Sequence, residues 1–401
     1  MKVSLLVSLA VMAAFAACSG SSSTQPGDTL AVRDVPGDTP VALDVPGVDH
    51  STGDITAPAL RKYAGSASYG DLLVFSVDPA AATCSVVNET TGQTVNHEFT
   101  VLQGDLKGVL KVQQGADVFH AVELGGTLIA ASFPTGNPSN VISFGVSGVT
   151  DNTANKQNIP GDYVYIHISG REVNGSTNNK EWGIVSIIDD GTFRVKAQAT
   201  GPGDGTGTGL TALAPEEYVG TFPVENPDVT GTWAVDTADP VRLVVQMTGT
   251  PTPLTGFAYA PDPNAIFLLD MGEGNGFILA LKILPTMTIA NLAGQYKFIN
   301  VYNGKTGRGR SAGKAVINVD GTGTYGHENT EGSYSTGVME NIAACPAIPN
   351  MFHAESQETT DGTVQTLKMY FVLLPYAYMG FNFRTDGEFR FVGYSVGARI
   401  D

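Results

Sequence analysis

The chain reads as an all-β protein built from tandem antiparallel meander modules, and three observations predict this. Apolar runs of five to eight residues, rich in β-branched and aromatic side chains, alternate with Gly, Asp, Asn and Pro clusters every eight to twelve residues. With 48 Gly, 22 Pro and 15% charged residues among 401, the composition favours short strands and turns, and no stretch of twelve carries an i, i+3, i+4, i+7 apolar stripe. Related segments then recur, so one strand-rich unit is used three times. Small up-and-down barrels are the expected form, because eight sequential strands close readily and closure removes exposed edges. Two-sheet sandwiches are the alternative.

The first element precedes any strand. Met1-Lys2 supply a basic start, and Val3 to Ala17 form an apolar run broken only by Ser4 and Ser8. Charged start, apolar core and small residues before a cut are the anatomy of an export signal. The run ends in Phe15-Ala16-Ala17-Cys18. A cysteine directly after two alanines resembles the lipobox of bacterial lipoproteins, with Phe15 where Leu or Val is usual. The resemblance implies that residues 1–17 are a signal cleaved before Cys18, whose thiol and new amine carry acyl chains. Buried CH₂ groups contribute about 0.8 kcal/mol each, so more than one chain anchors the protein durably. Ser19, in place of an aspartate retained at the inner membrane, implies the outer membrane, on its periplasmic or its surface side.

Residues 18–56 read as the lipidated cysteine and a disordered spacer. Asp34-Val35-Pro36-Gly37 recurs as Asp44-Val45-Pro46-Gly47 amid Ser, Thr and Asp. Low hydrophobicity, one sign of charge and frequent Pro-Gly cannot offset the entropy of ordering. As a coil the spacer would span roughly 35 Å. The formal charge is −17, and setting aside a net −5 over 19–56 and the +1 of Lys2 leaves −13 on the body from Ala57 onward. An acidic body excludes nucleic acid as the expected partner and disfavours direct docking on anionic lipid.

Three modules follow, over 57–150, 160–286 and 291–401. In the first, Leu72 to Val77, Gly108 to Val112, Val118 to Leu124, Thr127 to Phe133 and Val141 to Val146 are strands. The second opens with Gly161-Asp162-Tyr163-Val164-Tyr165-Ile166, echoed by Gly294-Gln295-Tyr296-Lys297-Phe298-Ile299 in the third. Gly183 to Thr192 matches Gly313 to Thr322, and Phe257 to Leu269 aligns without gaps on Phe371 to Phe383. The first module fits the same frame, with Phe119 opposite Phe257 and Ile129 opposite Phe267. This frame places Phe267 on Phe381. Leu128 to Phe133 and Ile266 to Leu269 are apolar on both alternating faces, so the modules are expected to pack on one another.

Few motifs carry chemistry. Asp189-Asp190-Gly191 and Asp320-Gly321 lie between strand-type runs and read as type I′ hairpin turns. Calcium on Asp189, Asp190 and Asp320 is the functional alternative, since carboxylates and turn carbonyls are its ligands. Gly201 to Gly209, Gly304-Lys305-Thr306 and Gly313-Lys314 lack the spacing of a phosphate loop. No two of the six histidines share metal-pair spacing, and His327-Glu328 reads as part of a solvated loop. With Cys18 on lipid, Cys84 and Cys345 remain. A disulfide and two separately buried thiols are both open. The last module is unusually aromatic, and Tyr376, Tyr378, Phe381 and Phe383 form either core or an apolar cavity or platform for a ligand.

These features lead to one expectation: a lipid-anchored envelope protein acting as a binding or structural component. Its partner would be a protein, a glycan or an apolar small molecule, with no cofactor required. An envelope hydrolase with a dispersed active site is the alternative.

Overall fold

The computed structural model describes residues 60–400 apart from short loop segments, the longest being 134–140 and 200–213. The signal, Cys18, the spacer and the glycine run 201–209 lie outside the described residues. The chain forms three closed eight-stranded antiparallel barrels in tandem. Barrel 1 runs from the strand Arg61–Ala67 to Val141–Ser147 in sequential order. Barrel 2 runs from Gly161–Ile168 to Phe277–Lys282, with a two-strand hairpin (Glu172–Val173 and Ser176–Thr177) set aside from its wall. Barrel 3 runs from Gly294–Gly304 to Arg390–Arg399. First and last strands pair to close each wall: Tyr63 with Ser147, Tyr163 with Lys282, and Tyr296 with Arg399.

Those closing pairs set Tyr63, Tyr163 and Tyr296 at one position of the repeat. Asp190 likewise falls on Asp320. In each turn the carboxylate accepts from the backbone N–H of the threonine two residues on (2.8 Å to Thr192, 3.0 Å to Thr322) and from its hydroxyl. The turn type differs from expectation. Of these residues only the glycines have positive φ, 86° at Gly191 and 80° at Gly321. The N–H of Gly191 donates to the carbonyl of Ile188, and that of Gly321 to Asn318. A turn closed this way and followed by a left-handed glycine is a type I turn with a bulge, which needs no positive φ at aspartate.

The register also corrects three assigned equivalences. Tyr165 pairs with Ala280 and Ala280 with Phe267, while Phe298 pairs with Gly397 and Gly397 with Tyr378. Gly65, Gly145 and Ile129 form the same chain in barrel 1. Phe267 and Ile129 therefore do correspond, but their counterpart in barrel 3 is Tyr378, not Phe381. One strand earlier, Ala121, Ala258 and Phe371 share a position, each paired with the next residue of that ladder (Ala131, Leu269, Gly380). Phe257 is one residue out of step with Phe371, and equally with Phe119, whose counterpart in barrel 2 is Gly256. A slip of one turns a strand side chain to the other face. Phe257 accordingly lies outside barrel 2 under the Arg242 guanidinium, 4.4 Å from its ring centroid, whereas Phe371 is buried inside barrel 3. Strands of barrel 3 reach eleven residues, longer than the apolar runs indicated, because their polar ends continue the hairpins beyond the core.

Each barrel is filled by inward side chains: Phe75, Phe119 and Ile129 in barrel 1, Tyr165, Trp233 and Phe267 in barrel 2, Phe298, Phe352 and Phe371 in barrel 3. Outward faces of strands from all three barrels form a fourth, shared core. It joins Val109, Val122 and Leu128 of barrel 1 to Ile166, Trp182, Leu268 and Leu279 of barrel 2, and to Tyr370, Met379, Phe381 and Val396 of barrel 3. This is why Leu128–Phe133 and Ile266–Asp270 are apolar on both faces. Burial at about 25 cal/mol per Å² makes such a junction hard to separate. Polar clamps fix its geometry. Ser66 donates to Asp270, Tyr376 to Asp262, and Arg310 to the carbonyls of Ser132 and Val118.

Candidate binding site in the lumen of barrel 3

Strand alternation puts Tyr325 and His327 on the inner face of Gly323–Asn329, both buried. The loop position expected for His327 is thus corrected: the strand runs on past it, and its ring faces a core. His327 Nε2 lies 3.1 Å from Glu358 Oε2, which also accepts from the Tyr325 hydroxyl at 3.1 Å. Gln365 Nε2 donates to Glu358 Oε1 at 2.6 Å, and the Tyr325 hydroxyl bonds Ser356 Oγ at 2.9 Å. The Tyr325 and His327 rings stack with centroids 6.0 Å apart. Burial alone would push the Glu358 carboxyl up. Hydrogen bonds from His327, Gln365 and Tyr325, with the attraction of His327, outweigh it and hold the group below the usual carboxylate range.

Asn300, Asn382 and Ser395 line the same cavity. Asn300 and Ser395 face each other in register. The Oδ1 atoms of both asparagines are buried with no hydrogen-bond partner. Free space amounts to about 30 Å³. A water needs roughly 10–15 Å³ by this measure, so the lumen admits one compact group and excludes a sugar ring or an acyl chain.

Barrel 2 supplies the contrast. Gly183 pairs with Ala197 where Gly313 pairs with His327, and His167 pairs with Ile278 where Asn300 pairs with Ser395. Two residues beyond the matched Leu269 and Gly380 stand Met271 and Asn382. Where barrel 3 has His327, Asn382 and Ser395, barrel 2 has Ala197, Met271 and Ile278, and its own cavity is walled by aliphatic and aromatic side chains. The described barrel 2 cavity is thus apolar, although His167 holds the position of Asn300.

The residues singled out from sequence divide differently. Tyr378 lies inside barrel 3, edge-on to Tyr296 and Phe371, and lines the cavity. Tyr376, Phe381 and Phe383 are buried in the shared core, with Phe381 stacked between Trp182 (5.5 Å) and Tyr370 (5.6 Å). They form no exposed platform, because the strand face they occupy is the one that packs on barrel 2. Asp189 and Asp190 sit in a turn of barrel 2 and Asp320 in one of barrel 3, and among the described residues no group of three His, Cys, Asp or Glu is placed to hold a metal ion. Cys84 and Cys345 are free thiols in separate barrels, which corrects the disulfide alternative. Burial pushes Cys84 up to about 11 and Cys345 to about 12, so neither is a thiolate at neutral pH.

Fold and lumen together define a class: a three-barrel all-β protein whose third barrel has a polar cavity. No protein-family model matches the chain, and no curated protein matches it. Solved structures overlap it weakly. Transferrin binding protein B of Haemophilus parasuis is 10% identical, with 85% of this chain and 76% of that one covered at a TM-score of 0.23. Transferrin binding protein B of serogroup B Neisseria meningitidis is 10% identical, covering 82% and 66% at 0.20. A protein of unknown function from Nostoc punctiforme is 11% identical, covering 86% and 98% at 0.20. Superposition at this level carries no argument about what the chain binds.

Proposed function

We propose that the chain is a lipid-anchored envelope protein whose three-barrel body acts as a binding component, with the lumen of barrel 3 as its receiving site. The anchor rests on the apolar run ending in Cys18 and on the acidic spacer after it. The observation that carries the binding role is the pair of buried, unpartnered carboxamide oxygens on Asn300 and Asn382. A buried acceptor without a partner costs about 1–3 kcal/mol, which a ligand carrying hydrogen-bond donors would offset.

Two measurements test this. In the Asn300→Leu/Asn382→Leu double variant, the denaturation midpoint should rise by the equivalent of about 1 kcal/mol or more. A lower midpoint would make the lumen structural and remove the receiving site. Cys18→Ser should move the protein from the detergent phase to the aqueous phase on phase partitioning. Unchanged partitioning would sink the anchor.

A further inference from the structure

Taking the lumen of barrel 3 as the receiving site, we propose that its ligand is a compact primary ammonium group, free or at the tip of a longer amine. The unpartnered atoms are acceptors: Asn300 Oδ1 and Asn382 Oδ1, on side chains 7% and 6% exposed. An ammonium has three donors and no acceptor, which suits acceptors that nothing else satisfies. Glu358 brings a buried carboxylate into the same space, and among the described residues no Lys or Arg lines it. Its neighbours there are His327, Tyr325 and neutral groups, so a further cation in the lumen would find an attractive field. Phe298 and Tyr378 also line the cavity, and aromatic rings are favourable neighbours for a cation.

Size argues the same way. About 30 Å³ holds one such head group and no more. Gly380 helps keep that room, since a Cβ there would stand 2.6 Å from Ser395 Oγ. An anion would meet the Glu358 carboxylate, and an uncharged apolar group would leave the carboxamide oxygens unpaired.

The test uses the full chain in detergent, titrated with methylammonium chloride against tetramethylammonium chloride and sodium chloride at one ionic strength. Methylammonium should raise the denaturation midpoint and saturate, as a ligand bound to the folded state does. Tetramethylammonium, which has no N–H, should not. Asn300→Leu/Asn382→Leu should abolish the response, and Glu358→Gln should weaken apparent affinity at least tenfold. A midpoint that rises equally with all three salts, or a wild type indifferent to methylammonium, would overturn the ammonium assignment, leaving buried water as the occupant. That failure is separable from failure of the receiving site. If the double variant is more stable than wild type yet wild type ignores methylammonium, the site stands and its ligand is another donor. If the double variant is less stable, the site itself falls.

Discussion

Lys297 shows how much a single side chain is asked to tolerate at the junction. It leaves barrel 3 on the outer face of its first strand and donates to the carbonyl of Gly108 in barrel 1 at 3.1 Å, only 5% exposed. Burial, partly offset by Glu123, brings its ammonium down to about 8. Unfolded, the same group titrates near 10.4. Between those values the unfolded chain holds the extra proton, so stability gains from this group as pH rises from about 8 toward about 10.4. Urea midpoints at pH 7 and pH 10 should therefore differ between wild type and Lys297→Met by an amount that moves in wild type's favour at the higher pH. Parallel profiles would mean that the ammonium is not desolvated. Glu358 follows the same sign in a lower window: with its carboxyl held low, its contribution is present above about pH 4.5 and is lost as pH falls through the folded value. The Glu358→Gln variant should accordingly lose less stability than wild type on acidification, read as denaturant midpoints at pH 7 and pH 3.5.

At the scale of an element, the first strand of each barrel carries a tyrosine that ties the wall to what lies beneath it. The Tyr163 hydroxyl donates to the carbonyl of Ile159, and that of Tyr296 to Leu292 at 2.7 Å, each four residues back across a short helical turn. From the closing strand Lys282 Nζ donates to Asn158 O, and Arg399, at the same register position, to Asn291 O and Ala293 O. Barrel 1 solves the problem otherwise, with Tyr63 donating to Glu123 beside a bidentate Arg61. Tyr163→Phe and Tyr296→Phe should each lower stability by about 1 kcal/mol, and by similar amounts, measured by denaturant melts of the single variants. Strand order, turn positions and the Tyr163–Tyr296 match were legible in the sequence, because turns are marked by Gly and Asp and the strands alternate. Tyr63 and His327 were not. Tyr63 sits in a segment with little else to align, and His327 is flanked by Gly326 and polar residues that mimic a loop, although extending the repeat frame from Gly313 sets it on Ala197.

For the whole molecule, the shared core makes the three barrels one body. Phe381 is fully buried between Trp182 and Tyr370, so Phe381→Ala should remove about 3–5 kcal/mol while unfolding stays a single transition by calorimetry and circular dichroism alike. Val338 on the outer wall of barrel 3 is 49% exposed, and Val338→Ala should change stability by no more than about 0.5 kcal/mol. A second transition in the Phe381→Ala melt would instead mark barrels that stand alone.

The sequence by itself determined the all-β class, the threefold repeat and the burial of strands on both faces, since periodicity, turn residues and composition are local properties that survive without coordinates. Only the tertiary structure decided which face of each strand looks inward. The one-residue slip between Phe257 and Phe371 and the exchange of Phe381 for Tyr378 arise because an apolar outer face is as hydrophobic as an inner one once barrels pack together. It also decided that His327, Glu358, Asn300 and Asn382 meet, for they come from four strands whose shared lumen exists only after closure.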